Sequence, residues 1–135
     1  LVAEHVAKLL GHERPFMNCT AIGVVENERL VGGCVYHEWD PEHGTIQMSA
    51  ASTSPRWLNR AILKTMFGYP FAGVGCQLVI LRVAESNDRM RRIAKAVGCK
   101  EYLIPRLRGR DEAEAVLTLT DDDWFASKFM RPAHG

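Results

Sequence analysis

Val2, Val6, Leu9 and Leu10 recur at helical spacing and Gly11 follows as a stop, so residues 2–10 predict a short amphipathic helix. From Thr20 the period becomes that of a strand. Ala21 to Val25 and Leu30 to Tyr36 are β-rich runs around Glu26-Asn27-Glu28-Arg29, which predicts a hairpin. Turn formers crowd Asp40-Pro41-Glu42-His43-Gly44, and Thr45 to Ser52 then predicts a third strand of an antiparallel meander.

Ser54-Pro55 carries a helix-start signal, a capping hydroxyl followed by a proline suited to the first helical position. Leu58, Ala61, Ile62, Thr65 and Met66 share one face of that helix, which is expected to end near Gly68-Tyr69-Pro70. Residues 76–84 form the most continuous apolar run, which predicts a central strand covered on both faces. Ser86 or Asn87 then caps a helix with Met90, Ile93, Ala94 and Val97 on one face and Gly98 at its end. Tyr102 to Leu107 and Ala113 to Thr120 predict a closing pair of strands around Gly109, and Trp124 and Phe125 an anchor on the sheet. The fold class is therefore α+β with a mixed α/β sheet: an antiparallel meander, a central βαβ crossover and a C-terminal β-hairpin.

Composition fits one soluble domain over residues 1–135, with 47% apolar and 24% charged residues. The chain begins at Leu1 rather than Met, so a short preceding segment is expected. No apolar run approaches the roughly 20 residues of a membrane span, and residues 1–10 lack the uninterrupted apolar core of a signal peptide. Cys19, Cys34, Cys76 and Cys99 lack the spacing of a zinc site. Reduced structural thiols, a cytoplasmic location and no metal are the expectations.

Net charge is only +1, yet charge is segregated. Arg82, Arg89, Arg91, Arg92, Lys95, Lys100, Arg106, Arg108 and Arg110 face only Glu85, Asp88 and Glu101 in their stretch, whereas residues 111–123 hold six acids and no base. A solvated helix and hairpin account for this, and so does a site for a phosphate-bearing ligand. Nucleic acid is not expected, because no aromatic-rich strand or recognisable binding motif accompanies the bases.

The segment Cys76-Gln-Leu-Val-Ile-Leu-Arg-Val-Ala-Glu-Ser-Asn87, followed by a helix and Val97-Gly98-Cys99, resembles the second half of the GNAT acyl-CoA N-acyltransferase fold. Phe67-Gly68-Tyr69-Pro70-Phe71 is similar to the helix exit of the ribosomal-protein acetyltransferase branch. The Ser54-Pro55-Arg56-Trp57 entry, the Tyr69-Pro70-Phe71 exit and the hairpin from Ile22 to Tyr36 resemble small phage- and prophage-encoded members. The resemblance spans about residues 20–125 and implies two parallel strands that splay to admit acetyl-CoA as co-substrate. It implies transfer of an acetyl group to a primary amine, on a small molecule or a protein, by direct attack. A CoA-binding protein without turnover and a phage-related nucleic-acid-binding module remain the alternatives, and the chain is expected as a monomer or homodimer with no membrane partner.

The same resemblance implies that backbone groups near Ser49, Ala50 and Ala51 pair with the pantetheine arm. The pyrophosphate would lie on the turn of Arg56, Trp57, Leu58, Asn59 and Arg60, and Asn87 would bond the cofactor near its thioester end. Two departures stand out. Pro55 and Trp57 occupy a turn that usually carries glycines, which leaves Arg56 and Arg60 to hold phosphate by charge. Met90 and Ala94 stand where relatives place a proton-donating Tyr or Ser. Tyr36-His37-Glu38, with His43 beyond, is the ionisable cluster at a central strand end, and Glu38 and His37 are the candidate bases. Adjacent strand residues point oppositely, so both reach one cleft only across a bulge.

Overall fold

A computed structural model of the chain describes residues 2–10, 19–52 and 59–130. Helix α1 (Val2–Leu9) precedes strands β1 (Thr20–Glu26), β2 (Arg29–Asp40) and β3 (Thr45–Ser52). Helix α2 (Arg60–Gly68) runs into a π-helical turn (Tyr69–Val74), and strand β4 (Leu78–Ala84), helix α3 (Asp88–Val97) and strands β5 (Lys100–Ile104) and β6 (Glu114–Thr120) follow. A short helix α4 (Asp121–Phe125) and a 3-10 turn (Lys128–Met130) close the described chain. The six strands make one mixed sheet in the order β1-β2-β3-β4-β6-β5, with β3–β4 its parallel pair. Meander, crossover and C-terminal hairpin are all present.

Alternation along the strands sorts the side chains onto two faces. Tyr36 on β2 donates its hydroxyl to the Met66 carbonyl of α2, which identifies the face turned toward α2 and α3. Strand register then places Ile46, Met48, Val79, Leu81, Val83, Ala115, Leu117 and Leu119 on that face, and all are buried. Trp124, 0% exposed, closes this core with ring centroids 5.9 Å from Phe67 and 5.6 Å from Phe129.

Helix α1 packs on the opposite face, over β1, β2 and β3. A Cβ on Gly33 would lie 2.6 Å from Val2 Cγ1, so this close seat of the helix requires glycine. The β4-β6-β5 half of the same face is less covered: Leu78, Ile80, Val116 and Thr118 are half-buried, and Arg82 and Tyr102 are exposed. The expectation that β4 is covered on both faces is therefore corrected, since its burial alternates along the strand.

Other boundaries shift for local reasons. Ser54-Pro55 lies outside the described residues, but Asn59 is still extended (φ −123°, ψ 177°), and its side-chain oxygen accepts the Ile62 N–H at 2.9 Å. Asn59 is thus the N-cap, and α2 starts at Arg60. The expected stop at Gly68-Tyr69-Pro70 becomes a wider turn. Pro70 has no N–H to offer the Met66 carbonyl, so the Tyr36 hydroxyl serves it instead, while the Pro70 carbonyl accepts from Gly75 and Cys76. Strand β5 begins at Lys100 and stops before Pro105, which cannot extend a ladder, rather than running from Tyr102 to Leu107. Helix α4 is an addition: the Thr120 hydroxyl accepts the Asp123 N–H at 3.1 Å, and the acidic triplet lies where the helix dipole favours negative charge.

No described helix is long and apolar enough to cross a membrane. All four cysteines are free; burial pushes the Cys34 and Cys99 thiols up to about 12.

Candidate active site

Strands β3 and β4 pair from Thr45↔Leu78 to Met48↔Leu81 and then part. At the closed end the Gly44 carbonyl accepts both the Gln77 N–H (2.8 Å) and the Leu78 N–H (3.2 Å). Beyond Leu81 each strand stays with its antiparallel neighbour, β3 with β2 as far as Ser52↔Gly32 and β4 with β6 as far as Ala84↔Glu114. Residues 49–52 and 82–84 therefore border an opening in the middle of the sheet, and it leads into a cavity of about 350 Å³.

The cavity joins two chemically different walls. Met48, Ala50, Leu81 and Val83 belong to the α2–α3 face, and Met90 of α3 adds to that apolar side. His37, Gln47, Ser49, Arg82 and Glu114 belong to the α1 face, joined by Leu10 and by Arg108 from the β5–β6 turn. An extended apolar chain with amide groups suits the first wall and the free strand edges, while a polar reactant suits the second.

His37 Nε2 lies 3.0 Å from the Ser49 hydroxyl, one residue beyond the last β3–β4 pair. The β2–β3 register shifts between His37 and Asp40, and Glu38 takes the left-handed conformation (φ 54°). A bulge of the kind that could bring both candidate bases into one cleft is present, yet only His37 lines the cavity, while Glu38 is exposed and is not among its described lining residues. His43 is carried further off, its Nδ1 2.7 Å from an Asp40 carboxylate oxygen. That bond, reinforced by the His43 and Glu42 N–H groups, holds the Asp40 carboxyl below its ordinary range. Asp40, Glu42 and His43 are grouped closely enough to share a cation, but the Asp40 carboxylate is already bonded to the His43 ring and to two backbone N–H groups of this surface turn.

The structure also builds a charged group that composition alone did not single out. Glu114, 3% exposed, accepts from Arg82 Nε (3.0 Å) and Nη2 (2.6 Å) on one oxygen and from Arg108 Nη1 (3.2 Å) on the other. The segregated stretches thus fold onto each other across the β4–β6 pair and the β5–β6 hairpin. Within the basic stretch itself, Arg91 and Lys95 pair with Glu101.

The remaining expected site residues are dispersed. Ser49, Ala50 and Asn87 line the cavity; Ala51 lies on the freed stretch of β3. The Asn87 side-chain oxygen caps α3 by accepting the Met90 N–H at 3.2 Å, which leaves its amide N–H groups for other partners. Arg56, Trp57 and Leu58 lie outside the described residues. Asn59 caps α2, and Arg60 reaches the C-terminal turn, donating to the Lys128 carbonyl with its guanidinium 5.1 Å from the Phe129 ring centroid. Ala94 is buried in the core.

No family model matches the chain, and no curated protein matches it in sequence. Solved structures match it in shape. A GCN5-related N-acetyltransferase from Brucella melitensis is similar with a TM-score of 0.64 at 18% identity, over 78% of this chain and 52% of that one. Mutant forms of the spermidine/spermine N-acetyltransferase SpeG from Vibrio cholerae are similar with a TM-score of 0.71 at 14% identity, over 91% of this chain and 77% of that one. The chain spans about half the length of the first and about three-quarters of the second. At such identities the likeness is one of fold, and the chain has the fold of the GCN5-related N-acetyltransferases.

Proposed function

We propose that the chain is an N-acetyltransferase that moves an acetyl group from acetyl-CoA to the primary amine of an acceptor within a ternary complex. The observation that carries this reading is the parting of β3 from β4 after Met48↔Leu81, with an apolar wall on one side and a polar one on the other. The thioester's pantetheine arm pairs with the freed backbone of residues 49–51 much as a strand would, and its methylene groups lie against Met48, Leu81 and Met90. The Asn87 amide is positioned to donate to it. The pyrophosphate falls to Arg56, Trp57 and Leu58 beyond the end of β3, while Asn59 and Arg60 support the adjoining helix start. The Ser54-Pro55-Arg56-Trp57 entry and Tyr69-Pro70-Phe71 exit support placing the chain near the phage-encoded and ribosomal-protein branches, and four unbridged cysteines, three of them buried, support a cytoplasmic setting.

The chemistry divides simply. The amine nitrogen attacks the thioester carbonyl from the α1 face, forming the C–N bond as the C–S bond breaks. His37 takes the proton that the amine sheds, directly or through Ser49, and the imidazolium returns it to the departing thiolate. Glu38 lies across the bulge, so this role falls to His37. Holding both reactants in one cavity supplies most of the acceleration, and general-base help adds roughly 100-fold or more.

The test is release of free CoA thiol from acetyl-CoA with a panel of amines, together with titration calorimetry. His37→Ala is expected to lower kcat by about 100-fold, to remove the imidazole limb of the pH–rate profile, and to leave acetyl-CoA affinity unchanged. An unchanged pH–rate profile in His37→Ala overturns the assignment of the base. Tight binding of acetyl-CoA with no thiol release for any amine supports the CoA-binding alternative motivated by Met90 and Ala94.

A further inference from the structure

The polar wall of the cavity constrains which amine can sit there. We infer that the acceptor is a small amine that also carries a carboxylate, held by Arg82 and Arg108; this rests on the reading of the cavity as an acyl-transfer site. Among the described lining residues Glu114 is the lone carboxylate, and it is engaged on both oxygens by the two arginines. The group of three thus has a net charge of +1. A di- or polyamine entering this side would meet two guanidinium groups and no unpaired carboxylate.

The geometry favours an anion for a second reason. Glu114 is buried, its side chain 4% exposed, whereas the side chains of Arg82 and Arg108 are 45% and 39% exposed. The anion of the cluster is sealed in the wall, and its cations are presented outward. Arg82 commits Nε and Nη2 to Glu114, which leaves the N–H groups of Nη1 for a ligand. Arg108 has a further partner, Glu112, at 3.7 Å; that carboxylate is outside the described cavity lining and half-exposed, so exchanging it for a ligand carboxylate costs little. Glu114 therefore acts as a positioning residue: its fixed carboxylate orients both guanidinium groups, much as an outer-sphere partner orients a ligating group, and charge-assisted bonds then fix the acceptor's carboxylate. Register places Arg82 one residue past the last β3–β4 pair on its strand, as Ser49 is on the other strand, so an amine held by its acid end is directed at the opening beside His37.

The experiment uses the full chain with acetyl-CoA and compares L-alanine and L-glutamate, their carboxamides, putrescine and spermidine by thiol release. The expected result is a kcat/KM for the acids at least 10-fold above that for the carboxamides, with the diamine and polyamine lower still. Arg108→Gln is expected to raise KM for the acids with kcat little changed. Arg82→Gln with Glu114→Gln, which removes the buried carboxylate together with the arginine that bonds it twice, should abolish the preference and leave the calorimetric Kd of acetyl-CoA intact. Turnover of spermidine or of the carboxamides at rates equal to or above the acids overturns the inference while the acyl-transfer reading stands. Should no amine turn over, the acyl-transfer reading fails, and glutarate binding by saturation-transfer NMR decides the carboxylate site separately. Glutarate binding that disappears in the double variant supports that site, and an absence of binding to the native chain overturns it.

Discussion

The two faces of the sheet are built on opposite terms. Beneath α2, α3 and α4, alternate residues of β3 as far as Met48, and of β4 and β6 along their length, are apolar and buried, from Ile46 and Met48 across Leu81 to Leu117. On the α1 face, β1 to β3 are covered by a short helix, whereas the half formed by β4, β6 and β5 carries Arg82, Glu114, Thr118 and Tyr102 with partial cover. One face supplies stability, and the other supplies the polar half of the site. They meet where β3 and β4 part, because an opening between strands is the place where a sheet offers both faces to one ligand.

The largest expected effect tests this division. Leu117→Ala, on the covered face with 0% exposure, should cost about 2–5 kcal/mol, as large-to-small changes in close-packed cores do. Ile80→Ala, on the neighbouring strand but on the α1 face and half-buried, should cost clearly less, about 1 kcal/mol. Urea unfolding of both variants checks the contrast; equal losses would mean that the α1 face of β4 is as well covered as the other.

A smaller effect is expected at the seam between β2 and α2. Tyr36→Phe removes the donor to the Met66 carbonyl, and Pro70 has no N–H to replace it. Leaving that buried acceptor unpaired should cost about 1–3 kcal/mol. Pro70→Ala in the same background tests the cause, since an N–H restored to the turn should recover part of the loss. Urea midpoints of the single and double variants provide the comparison, and identical losses with and without Pro70 would break the link between the proline and the tyrosine.

The covered face was the more legible in sequence, and the reason is physical. Apolar periodicity records burial, so Thr45 to Ser52 and the helix of Met90, Ile93, Ala94 and Val97 could be placed from pattern alone. Backbone hydrogen-bond demands leave weaker traces. Asn59 caps α2 through a single side-chain oxygen, and the turn at Pro70 depends on a tyrosine more than thirty positions earlier, which no local window contains. The site divides in the same way. Residue type and position point to His37 and Glu38 alike, and only the folded backbone, with Glu38 at φ 54° and His37 on the cavity wall, distinguishes them. Arg82, Arg108 and Glu114 read as two solvated charge runs. The available signal was the abrupt change of sign between Arg110 and Asp111, beside a hairpin turn at Gly109 that folds the runs together. The arginines expected to hold phosphate show the converse: charge can be read from sequence, but Arg60 reaches Lys128 and Phe129 through a contact with no local pattern.

The smallest effect lies where the covered face thins out. At β5 the covered-face position beside Leu117 is held by Glu101, and an ion pair takes the place of apolar packing there: Arg91 on α3 donates from Nε at 2.8 Å and from Nη2 at 2.9 Å. This guanidinium, with Lys95 at 3.7 Å, holds the Glu101 carboxyl below the usual carboxylate range. A lowered folded value means that the pair's contribution is fully present above the unfolded pKa of about 4.3 and is lost as pH falls through the folded value. Glu101→Gln should therefore lower the urea midpoint slightly at neutral pH, with the gap to the native chain closing as pH falls from the unfolded value through the lowered folded one. Asp40 is shifted in the same direction, so part of the acid slope should survive in the variant. A gap that stayed constant across this range would show that Glu101 stabilises β5 by packing rather than by charge, and the covered face would then extend unbroken to the sheet's edge.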